Sequence, residues 1–274
     1  MTDKISIKNL YTISVTAISL AAAIAVFFGF FGKKDVDTEL RIMSFNILAE
    51  LWGGEPVEGR DEKLNTFLET WLPDVAGLQE VTQSWYDHLE KYIGTTYEFT
   101  DPLNEDGETN YSTLIYNKNT VKLLKHGTKI YSQGNDPKLR LVSWGLFKSK
   151  KTGEKFIVTS THWDISKNAD MITVQAEEMG LFVKKLQNKY KCPVISVGDY
   201  NRKADTDQFK NFVKLSGFID ANTAETVTEQ DRDAKSIDHI MASTDVTFKE
   251  FVILRDEFST SISDHKPMYA DIAI

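Results

Sequence analysis

A single cysteine, Cys192, stands in 274 residues, so no intramolecular disulfide braces the chain. An apolar run follows it at 193–197, and it is expected as a buried core thiol rather than a reactive one. With no cysteine cluster there is also no basis for a structural zinc site. Basic charge is in deficit. The net charge is −8, with a net +2 on residues 1–33 (Lys4, Lys8 and Lys33 against Asp3) and −10 on the remainder. A protein that coats duplex nucleic acid needs the opposite balance, so that class is disfavoured, while an enzyme meeting nucleic acid through a local patch stays open. Internal repeats and low-complexity tracts are absent. What is left is globular composition, 41% hydrophobic and 26% charged, enough for one large domain with a substantial core.

The N-terminus departs from that composition. Leu10 to Phe31 is a run of 22 residues without a charge. As a helix it would span about 33 Å, the thickness of a bilayer's hydrocarbon core. Lys4 and Lys8 precede it, and Lys33 and Lys34 follow. A cleaved signal peptide is the competing reading, but Ala21-Ala22-Ala23 lies mid-run and the apolar chain continues through Phe27, Phe28, Phe30 and Phe31. The expectation is a single-pass anchor within residues 1–33, with the large domain outside, or a secreted domain if the segment is cleaved. Residues 34–39 then form a charged linker and 40–274 the domain.

Within that domain, strand-like runs occur at 40–48, 75–78, 112–116, 141–147, 155–161, 194–197, 237–242, 247–254 and 268–274. Helix-like stretches lie at 61–71 and 168–190. In the second, Ile172, Ala176, Met179, Val183, Leu186 and Tyr190 recur at alternating steps of four and three, drawing one apolar stripe. Residues 151–154 read as a hairpin turn between two long strands. Hairpin-paired strands with interspersed helices predict a mixed α/β domain, sheet packed on sheet with helices outside.

Polar residues gather where the apolar strands end. Asn46 closes the first run, and Gln79-Glu80 follow Val75 to Leu78. Thr161-His162-Trp163-Asp164 follow Phe156 to Thr159, and Gly198-Asp199-Tyr200-Asn201 follow Val194 to Val197. Asp238-His239 sit within 237–242, and Ser263-Asp264-His265 precede the last run. One such ending is ordinary turn chemistry; six in one domain, rich in carboxylate, amide and imidazole, point to a site on strand-end loops. Hard oxygens with histidine suit Mg²⁺, with Mn²⁺ as a substitute, and Glu80, Asp264 and the Asn46 carbonyl supply such oxygens. Two histidines beside carboxylates offer acid–base chemistry or charge stabilisation at a phosphoryl centre.

These segments, in this order, resemble the motifs of the endonuclease/exonuclease/phosphatase superfamily, the group with the DNase-I-like fold, over residues 40–274. The resemblance implies a four-layer α/β/β/α sandwich and a Mg²⁺-dependent phosphoester hydrolase, a phosphodiesterase of nuclease-like type. It implies that Glu80, Asn46 and Asp264 hold the metal. His265, tuned by Asp238, would contact the scissile phosphate or the attacking water. Asp199 would act as general base or acid, Asn201 would position phosphate or water, and His162 would donate to a phosphate oxygen. Tyr111 and Arg140 resemble further phosphate-side residues of the group. Leu48, where some members carry a second acidic residue, favours a single ion. His239 is expected either behind the site or facing substrate. The substrate stays open between nucleic acid and a lipid head group of sphingomyelin or phosphoinositide type, with a non-catalytic binding module as a minor alternative. Trp52 and Trp163 are expected to stack on bases or to pack the core. The membrane, through residues 10–31, is the one other partner, and no obligate protein partner is expected.

Overall fold

The computed structural model describes residues 40–51, 54–101, 109–135, 140–224 and 232–274. The expected anchor and linker lie outside these residues, as does Trp52. Among the described residues no helix is long and apolar enough to cross a membrane.

Among the described residues, twelve strands form two six-stranded sheets. The first contains β1 (Leu40–Asn46), β2 (Val75–Gln79), β3 (Tyr97–Phe99), β4 (Leu114–Asn117), β11 (Thr247–Ile253) and β12 (Met268–Ala273), in the order β11-β12-β1-β2-β4-β3. The second contains β5 (Val121–Ile130), β6 (Leu141–Ser149), β7 (Lys155–His162), β8 (Val194–Asp199), β9 (Ile219–Asp220) and β10 (Asp238–Ala242), in the order β5-β6-β7-β8-β10-β9. Each sheet is antiparallel except for one central parallel pair, β1 with β2 and β7 with β8.

Strand periodicity explains how these runs build layers. Along β1, Leu40 and Ile42 enter the apolar cluster between the sheets, while Met43 and Phe45 enter a second cluster on the outer face. The β8 residues Ile195 and Val197 face the inter-sheet cluster, and Val194 faces a third cluster on the other outer side. Alternate side chains point to opposite faces, so a strand buried on both faces reads as a continuous hydrophobic run. The helices α1 (Arg60–Trp71) and α2 (Gln83–Leu89) cover the first sheet through Leu64, Phe67 and Trp85. Two others, α3 (Ala169–Tyr190) and α4 (Asp207–Ser216), cover the second through Ile172, Met179, Phe209 and Phe212. A single-turn helix, α5 (Glu257–Thr260), lies in the β11–β12 connection.

The expected stripe on α3 is buried from Ile172 to Leu186, and Tyr190 is half-buried against Trp144. Asn168 caps this helix by accepting from the amides of Asp170 and Met171. The 151–154 turn joins β6 to β7 through the Ser149 amide donating to Glu154 O at 2.9 Å, with Gly153 at φ 82°. Cys192 is buried, and burial pushes its thiol up to about 11, as befits a core residue. Three strands (β3, β5, β9) and three helices (α2, α4, α5) have no counterpart in the sequence reading. The longest, β5, is an edge strand whose bulge between Leu123 and Lys125 breaks the alternation, and Lys122, Lys125 and Lys129 dilute its apolar signal.

This topology also fixes the location of the site. The parallel pairs put the ends of β1, β2, β7 and β8 at one edge of the sandwich. Antiparallel pairing brings the starts of β10 and β12 to that edge, with Asp238 opposite Asp199 and Met268 opposite Ser44.

Candidate active site

The loops at this edge are held in uncommon backbone conformations. Leu48 (φ 60°), Glu80 (φ 68°) and Asn201 (φ 49°) are all left-handed, three of the five described non-glycine residues with positive φ. Such conformations persist only where the surroundings over-determine them, and they concentrate at functional sites. Just before Asp199, Gly198 is required because a Cβ there would lie 2.2 Å from the Thr161 carbonyl oxygen of the parallel neighbour β7. Arg60, at the first position of α1, ties the surrounding loops together. Its guanidinium donates to the carbonyls of Ile47 at 2.8 Å, Leu48 at 3.0 Å, Pro56 at 2.8 Å and Ile262 at 3.1 Å.

Asp199 is the hub. Its Oδ2 accepts from Asn46 Nδ2 at 3.1 Å and lies 3.4 Å from His162 Nε2 and 3.7 Å from His265 Nε2. Its Oδ1 accepts from the Asn201 amide at 2.8 Å. The Asn46 Nδ2 also donates to Glu80 Oε1 at 2.9 Å, while Ala49 N donates to Glu80 Oε2 at 2.7 Å. Across the groove His265 Nδ1 meets Asp238 Oδ2 at 2.8 Å. Ser263 ties the end of β1 to the β11–β12 connection of the same sheet, its hydroxyl donating to Asn46 O at 2.7 Å and accepting from the His265 amide at 3.1 Å.

Electrostatics separate these groups into distinct protonation states. Burial, then the charge of Asp238, pushes the Asp199 carboxyl up to about 7. Burial opposes the His265 cation, but the hydrogen bond and charge of Asp238, helped by Asp199 and Asp264, raise it to about 10. His162 is driven well below its ordinary value by burial and by the charges of Arg140 and His265, so its imidazole is neutral at physiological pH. Groups pushed apart in this way mark acid–base sites.

Tyr111 lies parallel to His162 with its ring displaced sideways, ring centroids 5.8 Å apart and planes 9° apart. Arg140 Nη1 and Asn201 Nδ2 both donate to Trp163 O, at 3.1 and 2.9 Å. Trp163 itself is fully buried, donating to Tyr131 OH at 3.0 Å and packing edge-on against Tyr200 and Phe212; it belongs to the core and not to a stacking surface. His239 faces away from the groove because β10 alternates: it meets Asp220 Oδ2 at 2.9 Å and Arg202 O at 3.0 Å, behind the site. Asp264 is solvent-exposed on the rim.

A divalent cation fits this donor set. Glu80, Asp264, Asp199 and Asp238 put four carboxylates at the edge, one of them matched by the His265 cation. The two Glu80 oxygens each accept one amide proton and keep a further lone pair. Asp199, Asp238 and His265 also present three ligand atoms within 4.8 Å of one another. A protonated His265 has no lone pair to offer, so within that cluster the carboxylate oxygens are the available donors.

Sequence comparison then decides the kinship: the family model described as the endonuclease/exonuclease/phosphatase family matches residues 43–265. The chain belongs to that family. No curated protein matches the sequence. Among solved structures, the fold is similar to an endonuclease/exonuclease/phosphatase from Bacteroides vulgatus (23% identity, TM-score 0.71, covering 86% of this chain and 98% of that one). It is also similar to a mannosyl-6-phosphatase of Bacteroides thetaiotaomicron (19% identity, TM-score 0.70, covering 86% and 100%). A third is D. rerio TDP2 complexed with single-strand DNA product (18% identity, TM-score 0.64, covering 86% and 99%). The matched span runs past Asn46 at one end and to His265 at the other, and Asn46, Glu80, His162, Asp199, Asp238 and His265 lie together at the edge described above. Arg60 carries no signal in the sequence, and Ser263 is named there only as part of its motif, with no role of its own. Ser263 stands inside the Ser-Asp-His motif, and Arg60 is a cation at a helix N-terminus, where the helix dipole disfavours one.

Proposed function

We propose that this protein is a divalent-metal-dependent phosphoester hydrolase, phosphodiesterase-like, in which water attacks phosphorus in line. The observation that carries this reading is the convergence of Asn46, His162 and His265 on one buried carboxylate, Asp199. Glu80, Asp264 and Asn46 would hold the ion, Mg²⁺ or Mn²⁺. When bound it would polarise the phosphoryl oxygens and offset charge developing on them. Asp199, pushed up to about 7, is poised to take the water's proton near neutral pH. His265, kept cationic by Asp238, donates from Nε2 to a phosphate oxygen; neutral His162 donates to another. Tyr111 braces His162 from one face. Asn201 and Arg140, tied to Trp163 O, set the far wall.

A lipid-directed substrate is the second reading. Leu51 and Ile165, on connections, and Phe258, on the single-turn helix α5, are 42%, 68% and 41% exposed, and residues 10–31 would hold the domain at a membrane facing the extracytoplasmic side. The test is a side-by-side assay of the full chain on bis(p-nitrophenyl) phosphate, single- and double-stranded DNA, RNA, sphingomyelin and inositol phosphates, with Mg²⁺ and with excess EDTA. Turnover with Mg²⁺ and none in EDTA is expected. Full turnover in EDTA would overturn the metal requirement, and the preferred substrate separates the two readings.

A further inference from the structure

The end of the sandwich opposite the catalytic edge carries an excess of positive charge. There β1, β2, β7 and β8 start, and β4, β6, β10 and β12 end. The register of β5, β6 and β7 sets Lys122 opposite Lys148, and Lys148 opposite Lys155. Directly opposed residues of antiparallel strands share a face, so three lysines stand in one row across three strands. Like charges placed in this way repel and weaken the sheet. All three are exposed, and among the described residues none lies within ion-pair distance of a carboxylate.

More lysines flank the row. Lys150 and Lys151 occupy the turn between β6 and β7, and Lys189 and Lys191 close α3, which covers the same sheet. Carboxylates are fewer at this end. Glu154 follows the β6–β7 turn, Asp245 lies between β10 and β11, and Glu69 is in the last turn of α1. Glu98 is matched by Lys118 at 3.4 Å, and Asp74 is buried, accepting from the Arg41 amide at 2.6 Å. Seven lysines therefore face three exposed carboxylates, the reverse of a chain whose net charge is −8. Hydrolysis at the other edge makes no use of them.

The point where the chain enters the domain identifies the counterpart. Leu40, the first residue of β1, lies at this end, opposite Ile272 of β12. The six residues 34–39 before it span at most about 20 Å when extended. Ahead of them stand Lys33 and the uncharged run at 10–31, expected to cross a bilayer. A bilayer reached through so short a linker meets the lysine-rich end first. Leu72, exposed in the turn after α1, offers an apolar contact there. From Leu40, β1 rises about 20 Å to Asn46, which puts the catalytic edge on the far side.

We propose that the lysine-rich end docks on an anionic lipid surface and holds the catalytic edge towards the aqueous phase. This rests on the anchor reading of residues 10–31 and is independent of the hydrolase reading. The site then meets dissolved phosphoesters before the head groups of its own membrane, which favours the nuclease-like substrate over the lipid-directed one. Each lysine near such a surface strengthens attachment roughly fivefold, and the attraction fades within a Debye length, so docking is salt-sensitive.

The experiment places the full chain in lipid nanodiscs of phosphatidylcholine alone, or of an equal mixture with phosphatidylglycerol, and follows amide hydrogen exchange by mass spectrometry. Exchange at 150–154 should be roughly fivefold or more slower in the anionic discs at low salt. High salt should erase that difference, and 257–265, at the catalytic edge, should exchange alike in both discs. Lys122→Gln/Lys148→Gln/Lys155→Gln should remove most of the difference without lowering Tm, because it relieves the repulsion along the row. Equal exchange in both discs, or protection at 257–265 in place of 150–154, overturns the proposal and leaves the anchor reading intact. A chain that stays out of both discs overturns both. Protection of 150–154 by a single-stranded oligonucleotide in neutral discs, with none from anionic lipid, would give the surface to nucleic acid instead.

Discussion

Asp238→Asn isolates the pair that keeps His265 charged. The replacement is close to isosteric, but it removes the negative charge 2.8 Å from Nδ1 and offers an amide in its place. In the native chain His265 is raised from 6.5 to about 10 even though burial opposes its charge. At about 1.4 kcal/mol per pH unit, that corresponds to a ceiling on the order of 5 kcal/mol in favour of the imidazolium. Asp199 and Asp264 supply part of it and remain in the variant, so a fall of roughly 2 pH units or more is expected rather than the whole rise. The assay is the pH titration of the His265 ring protons by NMR, without added metal, alongside kcat/KM against pH. The descending limb should move from near 10 towards neutrality. Stability should follow the same sign. A histidine raised in the folded state contributes stability that is full below its unfolded value and is lost as pH rises through the folded one. The Tm difference between wild type and variant should therefore be largest near pH 6 and should close above pH 10. A His265 titration and an alkaline limb unmoved by the substitution would refute the assignment of Asp238 as the charge partner.

Glu80→Gln should weaken Mg²⁺ affinity roughly tenfold or more, read by calorimetric titration, and its single amide oxygen can accept from only one of Asn46 and Ala49, so Tm is recorded alongside; unchanged affinity would remove Glu80 from the ligand set. The ascending limb of kcat/KM should fall at or below about 7, where Asp199 loses its proton, and a bound cation will pull it lower; Asp199→Asn should abolish that limb. Asp271→Ala strands Arg41, whose Nε and Nη2 donate to that carboxylate at 2.8 and 2.7 Å in the core, and should cost about 3–5 kcal/mol by denaturant unfolding. Removing residues 1–33 should release a soluble domain that still hydrolyses phosphoesters; an insoluble, unfolded fragment would place that segment in the core instead.

The central strands were readable because each is buried on both faces, as in β8, where Val194 faces one cluster and Ile195 and Val197 another. The residues gathered at the candidate site were readable for a related reason: a polar residue closing or following such a run has few structural uses, and Asn46, Glu80, His162 and Asp199 all sit there. Where a signal is shared with ordinary surface, the reading failed. The lysines of β5 look like loop, although they protect an edge. The short helix α4 shows only Phe209, Phe212 and Ser216 as its buried face, too few positions to draw a stripe. Trp163 and His239 follow functional-looking neighbours but point into the interior, and only the strand's pleat and its packing partners decide that. Arg60 acts through backbone carbonyls, which no residue pattern records.

The most direct measurement of the central claim is turnover of bis(p-nitrophenyl) phosphate with Mg²⁺ by wild type, His265→Ala and Asp199→Ala, with Tm recorded for each. A loss of at least ~10²-fold is expected in both variants with folding intact. Variants that remain folded and turn over at the wild-type rate would contradict it.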